Sequence, residues 1–75
     1  MESTNSLIIL GKSQLEKGDY NEALSYFEQA ILLDQKNPDL WNLKGIALRS
    51  LGRYNEAIDC FNKSLEIDPR DKNSS

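Results

Sequence analysis

Seventy-five residues form one compact domain at most, and a chain of that size buries only about 60% of the surface its unfolded form exposes. Lys+Arg 9 against Asp+Glu 12 leaves a net charge of −3, the wrong sign for holding a phosphate backbone, so no nucleic acid partner is expected. A single cysteine, Cys60, and no histidine exclude an internal disulfide framework and the usual N/S metal sets, so no cofactor or metal is expected and helix packing and association must supply the stability.

The start, "MESTNSLIIL", has neither the basic region nor the long apolar run of a signal peptide, and no stretch is apolar for long enough to cross a bilayer. No membrane partner is expected, and the unpaired cysteine fits a reducing, cytoplasmic setting. A first helix is predicted near 5–17 from apolar and small residues at three- and four-residue steps: Leu7, Leu10, Gly11 and Gln14/Leu15. Gly18 closes it. A second helix follows near 21–34, carrying Ala23, Leu24, Phe27 and Ala30/Ile31, with Asp19 and Glu22 spaced as a capping box at its start. Asn37-Pro38 supplies an N-cap and a first-turn proline for a third helix near 38–51, which Gly52 ends. The fourth runs near 55–68 and stops before Pro69; with Arg53 in the place of Asp19, its start is expected to be the weaker one. The reading is an all-α domain of four antiparallel helices spanning 1–75, with a frayed polar tail, "RDKNSS", at 70–75. The sequons at 62–64 and 73–75 read as chance.

The chain also repeats itself. Gly11 and Gly45, Gly18 and Gly52, Tyr20 and Tyr54, Asn21 and Asn55, Ala23 and Ala57, and Phe27 and Phe61 all stand at the same offset, 45 − 11 = 34. The pairs Leu24/Ile58, Ile31/Leu65 and Leu33/Ile67 keep their chemical type at that spacing. One helical hairpin therefore occurs twice, over 4–37 and 38–71. Gly11 beside Ala23 and Gly45 beside Ala57 let the two backbones of each hairpin approach, with Phe27 and Phe61 filling the space next to them. Tyr20 and Tyr54 are expected to pack over the hairpin turns.

In both units these residues resemble the tetratricopeptide repeat: Leu7, Leu10, Gly11, Gly18, Tyr20, Ala23, Phe27 and Ala30 in the first, and Trp41, Gly45, Leu48, Gly52, Tyr54, Ala57, Phe61, Ser64 and Pro69 in the second. Gln14, Lys44 and Gln35 depart from the pattern. The related pentatricopeptide family, with a longer period and basic character, does not fit.

The resemblance implies a protein–protein interaction module, a minimal adaptor or scaffold whose first helices line a concave groove for a peptide or helix of a partner protein. Carried onto this chain, that lining is Asn5, Ile8, Ile9, Lys12, Leu15 and Glu16, then Asp39, Asn42, Leu43, Ile46 and Arg49. Members that clamp acidic chaperone tails present lysine and asparagine where Ile8 and Lys12 stand, so that use is not expected here. Several of the apolar lining residues are equally compatible with packing between the helix pairs. Ile58, Phe61 and Leu65 on the last helix would face whatever follows it, which predicts self-association, most simply as a homodimer joining last helices or exchanging a hairpin, while Cys60 reads as a small hydrophobe either buried or on that edge. A purely structural oligomer and a piece of a longer array are the alternatives. No nucleophile–base pair, desolvated carboxylate pair or phosphate loop is legible, so no catalysis is expected. Trp41 reads as packing, and Asp34, Asp68, Glu66 and Glu16 as solvated carboxylates.

Overall fold

The computed structural model describes residues 3–69; the tail at 70–75 and the second sequon lie outside them. Four helices follow one another, α1 (Thr4–Lys17), α2 (Tyr20–Leu33), α3 (Pro38–Ser50) and α4 (Tyr54–Ile67), and no strand occurs among the described residues. Each lies within a residue or so of its expected span. Short links fold every helix back onto the one before, so α2 packs on both α1 and α3, and α3 also packs on α4.

The ends are built as the residues dictate. Ser3 accepts the Ser6 backbone N–H at 3.2 Å and opens α1, while Asn37 accepts that of Asp39 at 3.0 Å and opens α3. Gly18 and Gly52 sit at φ 84° and 83°, the left-handed conformation that reverses the chain after α1 and α3.

The expected capping box at Asp19 does not form, and its side chain makes no cap hydrogen bond. The reason is a competition. In such a box the N3 carboxylate accepts the N-cap backbone N–H, but the Asp19 N–H is already donated to the Gln14 carbonyl at 2.9 Å in closing α1. The same closure recurs at Arg53, whose N–H donates to the Leu48 carbonyl at 2.9 Å. Arg53 therefore forfeits no cap relative to Asp19. Its guanidinium instead forks onto Glu56, Nε to Oε2 at 2.6 Å and Nη2 to Oε1 at 2.8 Å, and that hydrogen bond holds the Glu56 carboxyl below its ordinary range.

Two apolar clusters run through the stack. One joins Ala23, Leu24, Phe27, Ala47, Leu48, Ala57 and Cys60; the other joins Leu7, Ala30, Ile31 and Leu40. Trp41 packs against both. The close approach expected within each hairpin is present: a Cβ added at Gly45 would stand 2.6 Å from the Phe61 ring, and one at Gly11 would overlap Phe27 in the same way. Tyr20 is half-buried, whereas Tyr54, with no further hairpin beside it among the described residues, is exposed. Lys44, which breaks the repeat pattern, bridges the seam between hairpins with Nζ 3.7 Å from Glu28 and 5.6 Å from the Trp41 ring centre.

Candidate partner-binding faces

The helices that open each hairpin, α1 and α3, share one face of the molecule. Between them lies a hollow of about 260 Å³ lined by Ile8, Lys12, Asp39, Asn42 and Leu43. All of these belong to the lining that the family resemblance implies, and they come from two different helices, α1 and α3. Asn5 and Ile9 stand exposed on α1 outside this hollow. Ile46 is half-buried, and so is Leu15, which packs against the first core cluster. Leu43 and Ile8 divide their surface between the hollow and the core clusters. Arg49 does not turn to the hollow; its guanidinium carbon stands 6.0 Å from the Phe61 ring centre. Its lining joins apolar Ile8 and Leu43 to the opposite charges of Lys12 and Asp39.

At the far end, α4 presents a second candidate surface. The offset of the repeat makes the molecule its own control. Leu24 on α2 is 6% exposed beneath α3, while its counterpart Ile58 on α4 is 53% exposed. Phe27 and Ile31 are buried, and their counterparts Phe61 and Leu65 only half-buried. Cys60 does not belong to this edge. It is buried in the first core cluster, because its position on the helix turns it toward Ala47 and Leu48 rather than outward.

Burial pushes the Cys60 thiol up from its ordinary value, Lys44 opposing in part. The folded chain therefore keeps its proton longer than the unfolded chain, and any stability carried by this group is lost as pH rises through and above the ordinary thiol range. Ellman's reagent at mildly alkaline pH is expected to label Cys60 far more slowly in the native protein than in urea; equal rates would show the thiol open to solvent.

A third and larger hollow escaped the sequence reading. It lies where the C-terminal turns of α2 and α4 meet the α2–α3 link, beside Trp41. Its only sequence signal is Leu32, an apolar residue off the packing stripe of α2. Among the described residues no helix is long and apolar enough to cross a membrane, and no group of three His, Cys, Asp or Glu side chains could hold a metal ion.

Comparison with known proteins agrees with this architecture. The tetratricopeptide repeat family profile matches residues 10–72. An uncharacterized protein of Methanocaldococcus jannaschii is 48% identical over 52 residues, 69% of this chain and 60% of that protein. The Hsp70-Hsp90 organising protein of Plasmodium falciparum is 40% identical over 67 residues, 88% of this chain and 26% of its own length. The human DnaJ homolog subfamily C member 7 is 34% identical over 58 residues, 77% of this chain and 12% of its own. This chain thus spans less than two thirds of each of these relatives' own length. Two hairpins at a fixed offset, each with its glycine against a phenylalanine ring, and a family profile over most of the length lead to one conclusion: the chain belongs to the tetratricopeptide repeat family of protein-interaction modules.

Proposed function

We propose that the α1/α3 face holds a peptide or helix of a partner protein. The observation that carries this reading is the hollow that Ile8, Lys12, Asn42 and Leu43 line together. Apolar side chains at its base supply burial, and Lys12, Asp39 and Asn42 around them supply register and orientation, the usual division of labour in helix-in-groove recognition. The resemblance to co-chaperones that carry the same repeat supports a protein ligand.

The test is substitution on the face. Ile8→Glu is expected to weaken a mapped partner by about ten-fold or more, as loss of a central apolar anchor does. Because Ile8 packs on the second core cluster and Ile46 is half-buried, Lys12→Glu, at an exposed position, serves as the surface variant that leaves the fold intact. If Ile8→Glu and Ile46→Glu change neither the oligomeric state nor any partner, the groove reading falls.

A second reading rests on the α4 edge, where Ile58, Phe61 and Leu65 keep the apolar character that α3 covers on α2. We propose that a second copy covers it. The opposite end of the molecule is a poor match. On α1, Ser6 and Ser13 occupy the places of Leu40 and Ala47, which are fully buried against α2 (40 − 34 = 6, 47 − 34 = 13). Stacking α4 of one copy on α1 of the next would bury two serine hydroxyls against leucine and isoleucine. Pairing α4 with α4 about a two-fold axis avoids that and closes the assembly. Sedimentation at high micromolar concentration is expected to show a dimer for the parent chain and a monomer of equal helicity for Ile58→Glu. A parent chain that is monomeric and fully helical there overturns this reading.

A further inference from the structure

The hollow beside Trp41, about 700 Å³, shares no residue with the α1/α3 hollow or with the apolar edge formed by Ile58, Phe61 and Leu65. Ile31 and Leu32 of α2, Gln35 and Lys36 of the link, Trp41 of α3, and Lys63, Glu66 and Ile67 of α4 line it. Its wall is fixed in advance: the Trp41 Nε1–H donates to the Gln35 carbonyl at 3.0 Å, so the indole cannot swing to fill the space.

Two features mark it as more than a packing defect. Leu32 is 74% exposed at the rim, and its counterpart at the repeat offset is Glu66, so this position does its structural work equally well with a charged residue (66 − 34 = 32). An apolar side chain there is not required by the hairpin. The charge balance is the second feature. In a chain of net −3, this hollow carries, among the described residues, Lys36 and Lys63 against Glu66. The ion pairs found among the described residues, Lys44 with Glu28 and Arg53 with Glu56, engage neither of the two lysines. Lys63 instead holds its ammonium 6.0 Å from the Trp41 ring centre, on the border between indole and solvent.

We propose that this hollow is a second protein-binding site, whose occupant is a short linear segment in which apolar residues are flanked by aspartate or glutamate. An apolar side chain inserts between Trp41, Ile31, Leu32 and Ile67. The flanking carboxylates meet Lys36 and Lys63, and the same two ammonium groups disfavour segments flanked by lysine or arginine. The hollow is open along one side, which suits the side chains of a passing peptide better than a small molecule needing enclosure on most of its surface. With sites on separate faces, one chain can join two partners.

Trp41 is the single tryptophan of the sequence, so its emission reports on this hollow directly. The probe is a capped hexapeptide with a central leucine–phenylalanine pair and two acidic residues on each side, with the lysine-flanked version as its charge control. A saturable shift of Trp41 emission is expected with the acidic peptide, weakening with added salt, and little response is expected with the basic one. Leu32→Glu and Lys63→Glu, both at exposed positions, should weaken binding about ten-fold or more, while Lys12→Glu on the other face leaves it unchanged. Four results would overturn the proposal: no emission change at millimolar peptide, equal response to both peptides, unchanged affinity in Leu32→Glu and Lys63→Glu, or loss of binding in Lys12→Glu. The last would place the acidic segment on the α1/α3 face, leaving the proposed function standing and this site refuted.

Discussion

Phe27→Ala is expected to destabilise the chain by about 3–5 kcal/mol. Phe27 is fully buried and fills the space beside Gly11, with the first core cluster around it. At about 0.05–0.15 kcal/mol per residue, the whole domain has only about 4–11 kcal/mol to lose. The variant should therefore lose about a quarter or more of the domain's stability. Its repeat counterpart provides the comparison: Phe61 makes the same contact with Gly45 but is half-buried, with an open edge and Arg49 over its ring. Phe61→Ala should cost clearly less. Urea titrations followed by far-ultraviolet circular dichroism measure both; equal midpoints would show that the two hairpins do not differ in how well their phenylalanines are covered.

The second large effect is expected at the partner position. On an isolated helix Gly→Ala is stabilising by about 1 kcal/mol. Gly11→Ala should reverse that sign and cost about 1–3 kcal/mol, because the added methyl group falls on the Phe27 ring, which has no solvent side to retreat to. The pair is coupled. Combining Gly11→Ala with Phe27→Leu should cost less than the two single losses summed, since the smaller side chain vacates the space the methyl group needs. Strict additivity would mean that the ring and the α1 backbone do not compete for one volume. Gly45→Ala should be the milder version, because Phe61 can shift outward.

Much of this was legible before any coordinates. The offset of Gly11, Ala23 and Phe27 to Gly45, Ala57 and Phe61 specifies the hairpin, its close backbone approach and its duplication, since only a glycine can face a phenylalanine ring at that distance. The α1/α3 lining came from the family resemblance rather than from periodicity, and Ile8, Lys12, Asp39, Asn42 and Leu43 are the part of it that one hollow gathers. What failed did so where one residue serves two neighbours. Asp19 looked like a cap, yet its N–H belongs to the end of α1. Cys60 was legible only as a small hydrophobe either buried or on the open edge, because its exact angle around α4 decides between inside and outside, and a one-residue difference in phase changes the answer. The Trp41 hollow was invisible because it depends on how the link from Asp34 to Asn37 runs between helices, and no periodicity describes a link. There the path is set by Asn37, which donates its Nδ2–H to the Asp34 carboxylate at 3.2 Å.

The serines on α1 have one more consequence. A unit whose leading side carries Ser6 and Ser13 while its trailing side carries Ile58 and Leu65 can be lengthened only asymmetrically. Genetic concatenation of this chain is expected to leave each α4 facing the mismatched serines of the next α1, whereas replacing the two hydroxyl-bearing side chains with the leucine and alanine found at the internal seam should let successive copies lock into a continuous superhelix.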